Sequence, residues 1–214
     1  REQVAALIDA DPSEIVFTSC GTESDNMAIR GAVEAAGKPV VVITSRVEHP
    51  AVLEPCREQR RLGHTLIELE VDSGGRLPLE PLRTALGKGP SVVSLMWANN
   101  ETGVLFPIEE ITELVHAAGG VMHTDAVQVV GKRPVSARKT PVDLLSFSGH
   151  KLHAPKGVGA LYIRRGAKLQ PFMLGGHQEA GKRAGTENVP GIVALGRACE
   201  LAAEHIKEEI TNVA

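Results

Sequence analysis

The chain has 214 residues, and its 23 lysines and arginines against 26 aspartates and glutamates give a formal net charge of −3. Hydrophobic residues make up 43% and charged residues 23%, a composition typical of a globular protein, which excludes wholesale disorder. The small charge and a pI near 6.3 exclude a general attraction to nucleic acid or to anionic membranes. No apolar run approaches the ~20 residues needed to cross a bilayer.

The cysteines and the first residue bear on the compartment. Cys20, Cys56 and Cys199 are odd in number and widely spread, which is not the pattern of a secreted disulfide framework. The chain begins at Arg1, inside an amphipathic stretch, with neither a methionine nor a signal peptide. We therefore expect a piece of a longer protein, and the cysteine pattern favours a reducing cytoplasm.

Short segments rich in β-branched residues predict strands, because they are bounded by glycine, proline and polar residues. In chain order they are IVFT (15–18), VVVIT (40–44), TLIEL (65–69), SVVSLMW (91–97) and VMHTDA (121–126). Helix-like stretches lie between them. In the clearest, after Pro107, apolar residues recur at helical spacing, at Ile108, Ile111, Leu114, Val115 and Ala118. This alternation predicts an α/β fold of three layers, with a mostly parallel sheet covered on both faces.

The last third of the chain departs from that alternation. VDLLSFS (142–148) and GVGALYIRR (157–165) predict a strand pair that could be antiparallel. A final helix is predicted to carry its apolar residues on one side, at Ile192, Leu195, Cys199, Ala202 and Ile206. Because the sequence shows no internal repeat or linker, we expect residues 1–214 to form one domain.

Polar residues follow five of the predicted strands, at the point where each strand ends. They lie at 19–26, 48–50, 99–103, 125–128 and 149–151. Since ligands of open α/β sheets bind outside the carboxyl ends of the strands, these residues indicate one shared site.

The first of these segments, around Gly21, predicts an anion site. Gly21 permits a close approach of the backbone, and the following helix offers unpaired N–H groups and the positive end of its dipole. The hydroxyls of Thr22 and Ser24 lie nearby in sequence. The alternative is an ordinary helix cap.

Asp125 ends an apolar strand, where a carboxylate is costly without a partner. A metal could be that partner, since His123 lies two residues earlier on the same face. A cationic heterocycle nitrogen would serve equally well, and an aspartate that caps a turn is the third interpretation. The other histidines form no convincing zinc spacing, so we expect no metal.

Lys151 follows the residues SFSGH. A lysine beside a histidine in a tight, partly apolar turn can have a lowered pKa and form Schiff bases, whereas the alternative is a solvated surface lysine. The apolar segments on either side favour a buried edge for Lys151, and Ser148 and His150 offer further phosphate donors. An anion site, a buried carboxylate and a reactive lysine together meet the requirements of pyridoxal 5′-phosphate.

Six motifs resemble those of the cysteine desulfurases, and their residues are most similar to those of the nitrogen-fixation type. They are FTSCGTESDN, EHPAV, ANNETG, HTDAVQ, SFSGHKLHAPKGVGALYIRRG and GGHQEAGKRAGTENVPGI, and the resemblance extends from about Asp11 to about Gly196. It implies the cofactor-binding large domain of a fold-type-I pyridoxal-phosphate enzyme. It also implies a homodimer that takes sulfur from L-cysteine, releases L-alanine and passes the sulfur to iron–sulfur cluster assembly.

The resemblance assigns roles around the cofactor ring to matching residues. Lys151 would be the Schiff-base lysine, Asp125 would pair with the pyridine nitrogen, and Gln128 would hydrogen-bond the ring oxygen. His49 would stack on the ring and assist proton transfer, and Asn100 would lie close to the cofactor.

The phosphate contacts are implied in the same way. Gly21, Thr22, Ser148 and His150 would hold the phosphate of the same subunit. Thr186, in RAGTEN, would reach the phosphate of the partner subunit, which would make dimerisation part of the site.

The sequence also departs from the family pattern. In the family, the nucleophilic cysteine that carries the persulfide and the arginine that clamps the substrate carboxylate lie beyond the position of Ala214. We also expect most of the small domain, with its N-terminal contribution, to be missing from this sequence. None of Cys20, Cys56 and Cys199 matches the nucleophile, and we expect packing roles for all three.

The sequence therefore predicts a fragment of a pyridoxal-phosphate-dependent cysteine desulfurase, with L-cysteine as substrate and an iron–sulfur scaffold or other sulfur acceptor as partner. Two alternatives stay open. One is a selenocysteine lyase or an aminotransferase of the same fold type. The other is a non-catalytic scaffold that keeps the cofactor fold as an interaction surface.

Overall fold

The computed structural model describes the backbone of residues 1–213 and the side chains of residues 1–206. The helices described are α1 (Glu2–Leu7), α2 (Gly21–Ala35), α3 (Pro50–Arg61), α4 (Leu79–Leu86), α5 (Ile108–Ala117) and α6 (Val189–Val213). The strands described are β1 (Ile15–Thr18), β2 (Val41–Ser45), β3 (Thr65–Leu69), β4 (Ser91–Met96), β5 (Val121–Asp125), β6 (Leu144–Ser148) and β7 (Gly159–Ile163). In this part of the chain, none of the helices has the length and apolar character required to cross a membrane.

All of these strands belong to a single sheet with the order β1-β7-β6-β5-β4-β2-β3. Neighbours from β6 to β3 are parallel, whereas β7 runs antiparallel to both β6 and β1, with Phe147 opposite Ala160. The predicted antiparallel pair is therefore confirmed. Because β1 and β6 both oppose β7, β1 shares the direction of the parallel strands.

Side chains alternate between the two faces of the sheet and form two apolar cores. In β2, Val41 and Ile43 pack into one core, while Val42 packs into the other. The first core also takes apolar side chains from α1, α4, α5 and α6, and the second takes those of α2 and α3. Helices therefore cover both faces, as the alternation of elements predicts.

The predicted elements match the observed ones closely, with one error in α5. Ala118 is exposed and lies after the end of the helix, so it does not belong to the apolar face. On α6, Leu195, Cys199 and Ile206 are buried on one side, which confirms the predicted face of that helix.

The topology determines where the site lies. The carboxyl ends of β1, β2, β4, β5 and β6 meet at one edge of the sheet, and the chain leaves each of them through one of the five predicted polar segments. Their side chains therefore converge although they are up to about 130 residues apart in sequence.

Candidate functional site

A cavity of about 210 Å³ lies at the carboxyl ends of the strands. We call it the strand-end cavity. It is lined by residues that the sequence analysis singled out, namely Gly21, Thr22, His49, Asn100, Asp125, Gln128, Ser148, His150 and Lys151. Cys20, Asp25, Ala51, Met96, Ala98 and Val127 complete the lining. Thr186 lies outside it.

The first turn of α2 forms one wall of the strand-end cavity. Cys20 is the N-cap residue, and among the described residues no side chain caps this helix end, so its N–H groups stay available to a ligand. A Cβ at Gly21 would lie 2.9 Å from Val127 Cγ2, so a larger residue at this position would force the Val127 side chain or the helix to shift. Contrary to the expectation from the sequence, the Ser24 hydroxyl does not face the cavity. It is buried 2.7 Å from Thr18 Oγ1 and donates to the Cys20 carbonyl.

Gly159, which the sequence analysis did not single out, supports the same turn from β7. A Cβ at Gly159 would lie 2.9 Å from the Cys20 carbonyl carbon and 3.0 Å from the Phe147 carbonyl oxygen. The backbone before α2 therefore rests directly on the strand. The sequence signal for this contact was Gly159 itself, a glycine at the start of a predicted strand.

Ser148 and His150 form a pair beside Gly21. Ser148 ends β6 and is buried, and its Oγ lies 2.8 Å from His150 Nδ1. Partial burial, and then the charges of Lys151 and Lys156, lower the pKa of His150. The two side chains place polar atoms at the cavity wall that faces the start of α2.

Lys151 lies on a short 3₁₀ turn, Gly149–Leu152, directly after β6. The expectation of a buried edge for Lys151 is wrong, because its side chain is exposed at the cavity. It is the side chain of the next residue, Leu152, that is buried. Lys156 is also exposed but does not line the strand-end cavity. Lys151 is thus the lysine that a ligand in this cavity would meet.

Asp125 ends β5 and is 9% exposed. Its Oδ1 accepts a hydrogen bond from Val127 N at 2.9 Å, so the turn-capping interpretation is correct, yet the side chain also lines the cavity. Burial raises the pKa of Asp125, and the Val127 N–H and the nearby His49 oppose that rise.

His123 is fully buried beneath Asp125 and packs between two serines. Its Nδ1 lies 2.8 Å from Ser94 Oγ and its Nε2 lies 2.9 Å from Ser146 Oγ. Burial lowers the pKa of His123 to about 3, so the ring is neutral at physiological pH. Both nitrogens have partners, and the described residues contain no cluster of three metal-ligating side chains.

His49 and Asn100 line the opposite side of the cavity. His49 is the N-cap residue of α3, and its Nδ1 accepts the Ala51 N–H at 3.1 Å, which leaves the proton of a neutral ring on Nε2. Asn100 projects from a turn that Asn99 holds by accepting the backbone N–H groups of Glu101 and Thr102.

Gln128 is oriented by a residue that the sequence analysis missed. Lys132, four residues on, donates to Gln128 Oε1 at 2.7 Å. Because the amide oxygen is engaged, the amide NH₂ of Gln128 is the group left to donate to a ligand in the cavity.

Thr186 is exposed and lines a separate cavity of about 80 Å³. Its segment is joined to α2 by Arg183, which binds Glu23 through two nitrogens at 2.7 and 3.2 Å. Burial acts to raise the pKa of Glu23, but hydrogen bonds from Arg183 and Ser19 outweigh it and lower the pKa. The structure thus places Thr186 near the anion-site helix but not inside the strand-end cavity.

Two buried carboxyls that the sequence analysis left without a role lie around Asp125. Asp25, four residues after Gly21, is 1% exposed and lines the cavity. Glu48 accepts Ser45 Oγ at 2.6 Å and Met96 N at 2.9 Å, and burial raises its pKa to about 8. The signal for Asp25 was its helical spacing from Gly21, Ala28 and Ile29, which puts it on the apolar face of α2.

The cysteines have the settings that the sequence predicted. Cys56 and Cys199 are fully buried on α3 and α6. Burial raises the pKa of both thiols, that of Cys199 to about 12, which suppresses the nucleophilic thiolate. Cys20 lies at the start of α2, partly exposed, and accepts a long hydrogen bond from Ser19 Oγ at 3.7 Å.

The strand order, with its single antiparallel strand and its cavity at the carboxyl edge, defines the α/β class known as fold type I, the fold of many pyridoxal-phosphate enzymes. A solved structure described as a NifS-like protein superposes with a TM-score of 0.93 at 44% identity, covering 97% of this chain and 57% of that one.

The sequence comparisons narrow the class to a family. The family model for aminotransferase class V matches residues 1–213, and the chain belongs to that family. It is 55% identical over 210 residues to a cysteine desulfurase of Nostoc sp. (strain PCC 7120), covering 98% of this chain and 52% of the relative. It is 52% identical over 214 residues to the cysteine desulfurase NifS of Azotobacter vinelandii, with 100% and 53% coverage. The chain thus spans about half the length of these curated relatives.

Proposed function

We propose that this chain is the pyridoxal-phosphate-binding large domain of a cysteine desulfurase. The convergence of an uncapped helix end, a buried aspartate and a lysine in one cavity carries the proposal. The relatives named cysteine desulfurases support the choice of reaction.

The chemistry of the cavity fits the cofactor group by group. The start of α2, with glycines at 21 and 159 where a Cβ would clash, leaves backbone N–H groups and close space for a phosphate. Asp125 offers a buried acceptor for a protonated ring nitrogen, and the free amide NH₂ of Gln128 suits an anionic ring oxygen. A primary amine, on Lys151, reaches the same cavity.

We assign the binding roles accordingly. Gly21, Thr22, Ser148 and His150 would hold the phosphate, and Asn100 would lie beside the ring. Thr186 would contact the phosphate of the partner subunit in a homodimer, a role that its exposed position outside the cavity permits.

The remaining roles concern protons and charge. Pyridoxal phosphate supplies an electron sink that stabilises a carbanion at the α-carbon of an amino acid. Asp125 keeps the pyridine nitrogen protonated, because an ion pair in this buried setting favours the cation. Lys151 would anchor the cofactor and then move protons at the substrate, and His49, whose Nδ1 accepts the Ala51 N–H, would stack on the ring and assist proton transfer.

For the longer protein we propose that L-cysteine is converted to L-alanine, with its sulfur left as a persulfide on an enzyme cysteine. A sulfur-acceptor protein, such as an iron–sulfur scaffold in the cytoplasm, would then receive it. The strand-end cavity is lined by no arginine of the described residues, and we propose that an arginine of another part of the longer protein binds the substrate carboxylate.

The test is turnover by the longer protein with cysteine, selenocysteine and other amino acids as substrates. With an added thiol reductant, which reduces the persulfide and releases its outer sulfur as sulfide, we expect alanine and sulfide from cysteine. Both should be lost in Lys151→Ala and retained in the matched control Lys156→Ala. Preference for selenocysteine, or amino-group transfer, would assign the chain to another enzyme of the same fold type. An unreactive Lys151 would support the scaffold alternative.

A further inference from the structure

Asp25 is a fully buried carboxyl that the mechanism above does not use. It is the fifth residue of α2, is 1% exposed and lines the strand-end cavity. Its Oδ1 has no hydrogen-bond partner among the described residues and lies 3.6 Å from His123 Nε2. A buried polar atom without a partner destabilises the fold, so its presence needs an explanation.

The groups that face Asp25 supply no positive charge. They are Asp125 and His123 on β5, Ser146 on β6, Glu48 before α3, Cys56 on α3 and Cys20 at the start of its own helix. The His123 ring is neutral, since burial lowers its pKa to about 3. Within the described part of the chain, no lysine or arginine forms an ion pair with Asp25, Glu48 or Asp125.

Two neighbouring buried carboxyls without a cation cannot both be ionised at modest cost. Burial first, and then the charge of Asp125, raises the pKa of Asp25 well above its ordinary value. A hydrogen bond from Ser146 acts in the opposite direction but is outweighed. Burial and mutual repulsion therefore favour one shared proton on the pair over two negative charges.

The contacts of the two carboxyls decide where that proton resides. Asp125 receives the Val127 N–H at 2.9 Å, is 9% exposed and faces His49, all of which favour its charged form. Asp25 is more deeply buried and its Oδ1 receives nothing. The negative charge is therefore more stable on Asp125.

We propose that Asp25 is a positioning residue that holds a proton beside Asp125, so that the pair presents a single negative charge to the cofactor. This inference rests on the proposed function. Its consequence is that Asp125 meets the ring nitrogen as a full carboxylate, while no second buried charge accumulates behind it. Glu48, which burial also keeps largely protonated, completes the neutral surroundings.

The direct test is a carbon-13 NMR titration of the full chain labelled at the aspartate carboxyl carbons, without cofactor. The Asp25 signal is assigned by its loss in Asp25→Asn, and that of Asp125 by its loss in Asp125→Asn. We expect Asp25 to be protonated and Asp125 ionised at neutral pH. An ionised Asp25, or a protonated Asp125 beside it, would overturn the proposal.

The coupling of the pair gives a second readout that a merely structural residue would not change. In Asp125→Asn the titration midpoint of Asp25 should shift down by about one pH unit or more, because the like charge is gone. The matched control Asp143→Asn, whose carboxyl binds His116 and the Met122 N–H, should leave it unchanged. An Asp25 midpoint that is the same in both variants contradicts the proposal, and this result is independent of cofactor attachment to Lys151.

A third readout uses the protein loaded with pyridoxal phosphate. Asp25→Asn keeps a neutral group of the same shape, so the visible absorbance should be unchanged at neutral pH. Any alkaline transition caused by ionisation of Asp25 should be absent from this variant. A neutral-pH spectrum that changes in Asp25→Asn would show that the carboxyl acts in its charged form, which contradicts the proposal.

Discussion

At the scale of single residues, the charge of Asp125 is the feature on which the proposed chemistry depends most. Its carboxylate lies at the end of a buried strand, held by one backbone N–H and facing the strand-end cavity. In the longer protein, Asp125→Ala should reduce turnover by orders of magnitude, because the ring would lose electron-withdrawing power. Cofactor attachment to Lys151, followed by absorbance, should survive. Near-normal turnover would show that Asp125 only caps its turn.

Glu48 gives a pH-dependent prediction. Burial raises the pKa of Glu48 to about 8 in the folded protein, against a reference value of 4.5. Between these two pH values Glu48 stays protonated in the folded protein but is ionised in the unfolded chain. The unfolding free energy should therefore be highest below about pH 4.5 and fall by a few kcal/mol as the pH rises to about 8. Glu48→Gln should remove that loss. The unfolding free energies of wild type and variant, compared at about pH 5 and about pH 8, measure it.

A matched control for this prediction is Glu113→Gln, since Glu113 is exposed on α5. This variant removes an acid at an exposed position, so its unfolding free energy should stay close to that of the wild type. Parallel pH profiles for the wild type and Glu48→Gln would contradict the assignment of a neutral buried Glu48.

At the scale of elements, the contact between β7 and the start of α2 shapes the anion site. Gly159→Ala would press a Cβ within about 3 Å of the Cys20 backbone and the Phe147 carbonyl, neither of which is a flexible side chain. We expect a loss of ~1–3 kcal/mol in stability and weaker cofactor binding, because the turn must move. Thermal unfolding and a cofactor titration measure both.

Gly87→Ala is the matched control for that substitution. Gly87 follows α4 with helical φ and ψ values, and a Cβ there would meet only ordinary contacts, the nearest at 3.6 Å. It should be neutral or slightly stabilising. Equal effects of the two substitutions would show that the contact between Gly159 and Cys20 does not support the site.

The elements also show what a sequence can and cannot predict. The strands and α5 followed from local periodicity, and the shared edge followed from the rule for parallel sheets. The exposure of Lys151 did not, because it is the neighbouring Leu152 that packs inward, beside Gly131. The inward turn of Ser24 did not either, because it depends on a hydrogen-bond contact with Thr18 of β1. The helical spacing of Asp25 indicates that it lies on the buried face of α2. That its Oδ1 has no hydrogen-bond partner there follows only from the positions of β5 and β6.

At the scale of the whole molecule, binding the cofactor and cleaving the C–S bond require different groups. Sulfur transfer needs a mobile thiolate, whereas Cys56 and Cys199 are buried with raised thiol pKa values. Cys20 is held at the start of α2. We therefore expect the 214-residue chain alone to bind cofactor without catalytic release of alanine from cysteine. Multiple turnovers by the purified chain, lost in Cys20→Ser, would contradict this and identify Cys20 as the nucleophile.

The central claim is that Lys151 anchors pyridoxal phosphate in the strand-end cavity. The measurement is borohydride reduction of the chain incubated with the cofactor, followed by peptide mass spectrometry. The account predicts one pyridoxyl group, on Lys151, lost in Lys151→Ala and kept in Lys156→Ala, because Lys151 lines the cavity and Lys156 does not. A label on Lys156 alone, or no label at all, would contradict it.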